Sequence, residues 1–534
     1  RRPGTAALVR DQVGYATRAM WRSRVVLVFT FILPLLWLVV IGLMAGNDAV
    51  DESSGVRVMQ FATPMAVVLS LLLTAYPPVA HNLALAREGQ ILKRVRGTPV
   101  PMWAYLLGRV GAAVTLSAAA IVVMLALGVV AYGVQIQTET LAATIVTLGF
   151  GIACLAALGL AVGALASSGT MAQTFAIASA MVVAFLSGLM TFGLTPPAWM
   201  DSVGSFFPVR YLLEPLQDQF NPFLEGGRWD LTALVVLAAW GVAAVVVAAW
   251  GLRRQPVSKG PSAVRTRPAA GRGVEVSEMV RPSSMSLVLD QVRWATTAAR
   301  RDAGWVFFAI AMPVGLYALM AMQLTDAEFR PRGMAFAVYF AVGMAAYGAA
   351  VTAFVNMPEA VATGRDRLLL KRLRGTPLAP WQYLAGRTTS VLWIALITAL
   401  LVFALGVAYF GVELAPANVP LGLAVLLFGT LTLAACGYAL AAILPSGRAI
   451  GVVAVAILLP LAFISDVFPF GGTMPDWLTA IASAFPLIHF VHALAGALSP
   501  SQATLEWLDL AVLAAWLVGA SLVAVRRFRW MPTR

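Results

Sequence analysis

Eleven stretches of the chain contain no Asp, Glu, Lys or Arg, and this absence limits the fold more than any other feature. They are 25–47, 58–86, 110–138, 140–200, 231–252, 303–325, 333–358, 388–412, 414–447, 449–465 and 510–525. A bilayer core takes about 20 apolar residues of helix. A charge at its centre costs roughly 2.5–3.5 kcal/mol even on the lenient insertion scale. The run 140–200 is too long for one crossing and breaks at Ser167-Ser168-Gly169, giving helices near 141–166 and 171–194. Twelve spans result, six in each half of the chain, with the last two extending past Asp466 and Asp509. Composition agrees: 60% of residues are apolar and 11% charged, against roughly half and a quarter in soluble proteins. The expectation is an all-α polytopic membrane protein with two six-span repeats.

The net charge of +13 would suggest nucleic acid if it were clustered on one soluble domain. It is instead segregated by the spans. With the N-terminus inside, the inner segments hold 32 basic and 8 acidic residues, and the outer segments 5 and 16. The positive-inside rule then makes both termini cytoplasmic. No nucleic-acid partner is expected. Only three basic residues are lysines (Lys93, Lys259, Lys371), an Arg bias that suggests a bacterial gene and hence a bacterial plasma membrane. The chain opens on Arg1 without a methionine, so a preceding stretch is expected.

The two halves repeat. Lys93-Arg94-Val95-Arg96-Gly97-Thr98-Pro99 recurs as Lys371-Arg372-Leu373-Arg374-Gly375-Thr376-Pro377, an offset of 278. Tyr105, Gly108 and Arg109 match Tyr383, Gly386 and Arg387, and Phe207-Pro208 matches Phe485-Pro486. Upstream, Asp11-Gln12-Val13 matches Asp290-Gln291-Val292 at 279. An even number of spans per repeat makes the halves parallel, related by an axis along the membrane normal. The expected organisation is residues 1–252 as the first half, 253–284 as a flexible cytoplasmic linker rich in Pro, Gly, Ser and Arg, and 285–534 as the second half. Each half opens on an amphipathic segment (Val9, Val13, Ala16, Met20; Val288, Val292, Ala295, Ala299) suited to lying in the interface.

The loop after the second span carries the best-matched residues. Ile91, Leu92 and Val95 at helical spacing among basic neighbours describe a short amphipathic helix, which Gly97 can end and Pro99 cannot continue. Generic positive-inside charge explains the Lys and Arg but not the repeated Gly-Thr-Pro and Tyr-x-x-Gly-Arg.

Arg-x-Arg-Gly-Thr-Pro followed by Tyr-Leu-x-Gly-Arg resembles the permeases of type-2 ABC exporters, the daunorubicin- and tetronasin-type drug efflux group, here as two permeases fused in tandem. The resemblance implies that the amphipathic N-terminal helices and these loops dock on two copies of an ABC ATPase subunit. Carried over by position, the docking residues are Arg87, Glu88, Lys93, Arg94, Arg96, Gly97 and Thr98, then Arg365, Asp366, Lys371, Arg372, Arg374, Gly375 and Thr376. Gly89 faces Arg367 in the alignment, so the two docking sites differ. The resemblance also implies outer re-entrant helices, which residues 195–228 and 471–505 fit. There Arg210, Glu214 and Asp218 are replaced by Ile488, His492 and Gly496.

A P-loop needs Gly-x-x-x-x-Gly-Lys-Ser/Thr, and none of the three lysines follows a glycine. ATP and Mg therefore belong to the partner, and no cofactor, metal or catalytic residue is assigned to this chain. Two cysteines, Cys154 and Cys436, supply no disulfide framework. The expected function is an exporter permease moving hydrophobic or amphipathic small molecules by alternating access. Candidate path residues are Phe61, Met65, Tyr76, Phe175, Met181 and Phe185, with Tyr339, Met344, Tyr347 and Phe463, since aromatic and Met side chains adapt to varied apolar ligands. A proton-coupled twelve-span antiporter is a rival, although its halves offer only Glu359 and His81, both near the inner ends of spans. A transferase acting on lipid-linked substrates lacks the acidic pairs it would need. An ABC exporter of lipid-linked or sugar-polymer cargo differs in cargo alone.

Overall fold

A computed structural model describes residues 5–22, 24–44, 47, 56–98, 100–189, 198–226, 228–254, 283–301, 303–323, 331–373, 375–376, 378–444, 446–468, 474–499 and 503–527. Of the linker expected at 253–284, residues 255–282 lie outside these residues, and Arg253 and Ser284 belong to the flanking helices. The described residues build ten helices in each half, in the same order. The first half has α1 (Thr5–Trp21), α2 (24–44), α3 (Val58–Glu88), α4 (Ile91–Arg96), α5 (Met102–Tyr132), α6 (Leu141–Leu165), α7 (Gly169–Leu186), α8 (Ala198–Gly204), α9 (Arg210–Phe220) and α10 (Leu231–Arg253). The second has α11 (Ser284–Arg301), α12 (303–323), α13 (Phe336–Asp366), α14 (Leu369–Leu373), α15 (Pro380–Tyr409), α16 (Val419–Ile443), α17 (Gly447–Ile464), α18 (Asp476–Ser483), α19 (Pro486–Ala497) and α20 (Trp507–Arg527). Two short 3-10 turns, Pro331–Gly333 and Pro416–Asn418, complete the described helical structure.

Nine of these helices are long and apolar enough to cross a membrane: α3, α5, α6, α7, α10, α13, α15, α16 and α20. Helices α2, α12 and α17 fall on the remaining charge-free runs and are apolar but shorter. Helices α18 and α19 form a pair bent by 90° between Ser483 and Pro486.

Local chemistry sets the boundaries. Ser168 and Ser446 accept hydrogen bonds from the Met171 and Ala449 amides at 3.1 and 3.3 Å, capping α7 and α17 at the break expected from the sequence. Helices α5 and α15 are both followed by a left-handed glycine, Gly133 (φ 70°) and Gly411 (φ 63°), a conformation that strains any residue with a Cβ. Irregular turns also recur. Helices α2 and α12 contain π turns at Val28–Ile32 and Phe307–Ala311. Helix α3 is interrupted at Tyr76, just before Pro77, and α13 has a π turn at Val351–Asn356 before Pro358. Different residues thus disturb the two central helices at the same level.

Helices α3 and α13 are the hubs, with 83% and 94% of their apolar windows buried, whereas α10 and α20 lie at the periphery with 22% and 17%. Glycines let the hubs' neighbours approach closely. A Cβ at Gly159 would come within 2.6 Å of the Tyr76 carbonyl, and one at the matching Gly437 within 2.5 Å of the Ala353 carbonyl. The halves meet through two reciprocal pairs: α7 packs on α12, and α17 packs on α2.

Candidate functional site

The repeated loops lie at one end of the bundle, which carries most of the exposed basic residues and is here called the basic end. Helix α3 runs into this end and finishes on Arg87 and Glu88. The Arg87 Nη1 donates to the carbonyls of Gly163 (2.7 Å) and Ala166 (2.9 Å), at the C-terminus of α6. Glu88 Oε2 accepts from the Gly169 amide (3.0 Å), the first residue of α7. The second half repeats this at matching positions. Arg365 donates to Ala441 (3.0 Å) and Leu444 (2.8 Å), and Asp366 Oδ2 accepts from Gly447 N (2.8 Å). A helix C-terminus presents unsatisfied carbonyls and partial negative charge, and a helix N-terminus the reverse. One basic–acidic dipeptide therefore clamps both helix ends of the α6–α7 turn, and its counterpart clamps α16–α17. Arg365 is 4% exposed. These four residues, expected to face a partner, direct hydrogen bonds into their own chain.

The rest of the loop faces outward. Gln90 and Leu368 take left-handed conformations (φ 58° each) at the starts of α4 and α14. Leu92 and Leu370 are buried and pin the short helices to the bundle. Ile91, expected on the same apolar face, is instead 43% exposed. Lys93, Arg94 and Arg96 are exposed, as are Lys371 and Arg372. Among the described residues, no carboxylate forms an ion pair with any of these five. Arg374 lies outside the described residues. Thr98 and Thr376 donate to the Val95 and Leu373 carbonyls (2.7 and 2.6 Å), closing the last turns. Gly97 (φ −84°) ends α4 without using a left-handed conformation. Gly97 and Gly375 are exposed.

The amphipathic helices α1 and α11 are separate elements and pack along the first turns of α5 and α15. This packing explains two motifs together. Gly108 and Gly386 of the Tyr-x-x-Gly-Arg motifs lie against Gln12 and Gln291 of the Asp-Gln-Val motifs, where a Cβ would clash. Thr17 and Thr115 hydroxyls meet at 3.1 Å, and Thr296 and Ser390 at 3.3 Å, across the same contacts.

The candidate path residues occupy varied environments. Tyr76, Phe185, Tyr339, Met344 and Tyr347 are buried, Phe61, Met65, Met181 and Phe463 are half-buried, and Phe175 is 57% exposed. The Tyr76 hydroxyl meets Ser179 of α7 at 2.7 Å. Phe468 gathers Tyr347 (5.8 Å between ring centroids), Phe463 (5.0 Å) and Phe340 (6.4 Å) in the second half. At the positions of Phe340 and Tyr347 the first half has Ala62 and Leu69, so its wall is aliphatic there.

The opposite end differs between halves. In the first, Arg210 bridges Asp201 (2.6 Å) and Glu214 (2.7 Å). In the second, His489 Nδ1 lies 2.6 Å from Asp509 Oδ1 and its Nε2 lies 2.8 Å from the Ser483 carbonyl, while His492 Nε2 lies 3.0 Å from Asp466 Oδ2. His489 and Asp509 are both buried. These acidic partners escaped sequence reasoning, because 20 and 26 residues separate them from the histidines. The only signal was their position, each at the edge of a charge-free run. Among the described residues, no group of three or more His, Cys, Asp or Glu is arranged to hold a metal.

The fold is thus a duplicated helical membrane domain with paired basic loops at one end. A family model for ABC-2 type transporters matches residues 13–220 and again 273–498. The chain belongs to this family, as a permease with the domain in tandem. Permeases of this family work with ATPase subunits, and the domain itself is not catalytic. No curated protein matches the chain.

Proposed function

We propose that this permease is the membrane part of an ATP-driven exporter, with twelve spans and the basic end in the bacterial cytoplasm. Two separate ATPase subunits bind ATP and Mg and dock on α4 and α14. The observation that carries this reading is the repeated geometry of the loops. Each rigid clamp fixes a short helix whose Lys and Arg side chains are exposed and without ionic partners. A load applied to α4 passes through Arg87 and Glu88 to both ends of the α6–α7 turn, and α7 packs on α12 of the other half. Drawing the two loops together thus rocks one half against the other, which is alternating access. Hydrophobic or amphipathic molecules of the drug-efflux type suit a path lined by Met and aromatic residues without midplane charges. Lipid-linked cargo would use the same coupling.

The test is reconstitution with a cognate ATPase. Complex formation, ATP hydrolysis that depends on it, and transport that survives an uncoupler are expected. Transport abolished by an uncoupler with ATP maintained would assign the chain to proton coupling and overturn the proposal.

A further inference from the structure

Arg109 and Arg387 are the last charges before the runs 110–138 and 388–412, and the coupling reading gives neither a task. Each lies about two turns from the basic end of a helix of 31 or 30 residues. Such a helix is about 45 Å long, against a hydrocarbon core of about 30 Å. With the overhang at the basic end, both guanidinium groups come to headgroup depth. Exposed Trp103 and Trp381, one turn or more nearer the end, mark the same interface, where Trp is enriched.

Arg387 lies 4.8 Å from the Trp294 ring of α11 and 5.5 Å from the Tyr383 ring. Arg109 lies 5.1 Å from the Tyr105 ring, and its Nη2 donates to the Tyr105 hydroxyl at 2.8 Å. Aromatic faces hold and orient a guanidinium without neutralising it. Among the described residues, no carboxylate pairs with either arginine. The Arg387 Nε is buried with no acceptor, which leaves the two terminal amino groups as the fork that can meet a ligand. A planar fork with spare donors matches a phosphate bidentately, which an ammonium group does not.

We propose that Arg109 and Arg387 are two phosphate-binding sites, each taking the phosphodiester of an anionic phospholipid where the amphipathic helix packs on α5 or α15. The second site is the tighter one. Trp294 completes its platform, whereas the matching Tyr15 is 68% exposed and makes no ring contact with Arg109. Bound lipid fastens α1 and α11 to their long helices at the level where the ATPase would push. The sites depend on the membrane setting and on neither cargo nor ATP coupling.

The test uses the full chain purified in a neutral detergent. Phosphatidylglycerol, phosphatidylcholine or inorganic phosphate is added, and retained lipid is counted by native mass spectrometry alongside the melting temperature. Two phosphatidylglycerol molecules are expected to survive delipidation and raise the melting temperature. Arg387→Gln should weaken retention several-fold, Arg109→Gln less, and the double variant should lose both the lipids and the shift. Arg387→Lys should restore little, because the stacked fork is absent. Unchanged retention in the double variant overturns the proposal. An equal shift from inorganic phosphate assigns the sites to a free anion and overturns the lipid assignment. Retained ATPase binding in variants that lose lipid separates this result from the coupling reading.

Discussion

At the residue scale, the clamp dipeptides turn a charge motif into a packing device. Arg365 is nearly sealed and serves two carbonyls, so Arg365→Ala leaves helix-end acceptors unpaired in a closed site. Hydrogen bonds involving a charged group contribute roughly 1.5–3 kcal/mol. A loss of about 2 kcal/mol or more is expected, read as a lower melting temperature in detergent micelles. The half-buried Arg87→Ala should cost less, and equal losses would mean that burial is not what sets the effect. Asp366→Asn keeps an acceptor for the Gly447 amide and should be milder than Asp366→Ala. Leu368 and Gln90 offer the opposite sign. A left-handed conformation costs a residue with a Cβ roughly 1–2 kcal/mol. Gly at either position should raise the melting temperature; a fall would mean that the freedom added to the unfolded chain outweighs the strain relieved.

At the element scale, the short helices and the helices α1 and α11 are separable. Reversing Lys93, Arg94 and Arg96 to Glu should leave thermal stability within about 0.5 kcal/mol per site, as expected for surface substitutions, yet weaken ATPase association. Association unchanged by this reversal and by Lys371→Glu with Arg372→Glu would remove α4 and α14 from the docking surface. Gly108→Leu inserts a side chain where Gln12 packs. It should release α1 from α5, read as faster proteolysis after Arg10 and Arg18 with the spans intact. The sequence made most of these elements legible, because absent charge marks spans and a repeated motif marks a loop. It did not reveal that Arg87 and Glu88 hydrogen-bond to the ends of α6 and α7. A partner-facing pair satisfies the same pattern, and the hydrogen-bonding partners lie 76–81 residues away on another hairpin. The repeated Tyr-x-x-Gly-Arg motif marked Gly108 and Gly386 as matched positions, but not that Gln12 and Gln291 pack on them.

At the scale of the whole molecule, the described residues join the halves through matched pairs of helices, α7 with α12 and α17 with α2. Leu43 of α2 joins an apolar cluster with Ile464, Leu478, Ala482 and Ile488 of the second half. In a background with Cys154→Ala and Cys436→Ala, a bifunctional thiol reagent joining Leu43→Cys to Leu478→Cys should arrest transport while ATPase binding persists. Undiminished transport by the linked protein would exclude rocking at this contact. The repeat in the sequence foretold two copies of one domain, and its mismatches, Gly89 against Arg367 and Glu214 against His492, foretold their asymmetry but not the partners the unlike residues take. A ring cluster around Phe468 includes Phe340 and Tyr347 where the first half has Ala62 and Leu69, and a His–Asp pair stands where it has Tyr211 and Leu231.

That asymmetry follows from having both domains on one polypeptide. In a permease assembled from two identical chains, every substitution appears twice, and a histidine useful on one side must be tolerated on the other. Here a change at His489 leaves Tyr211 untouched, so, on the exporter function proposed above, each half can be tuned by selection against a different face of the same cargo. A molecule with two unlike ends would then meet two unlike surfaces, and orientation within the path becomes a heritable trait.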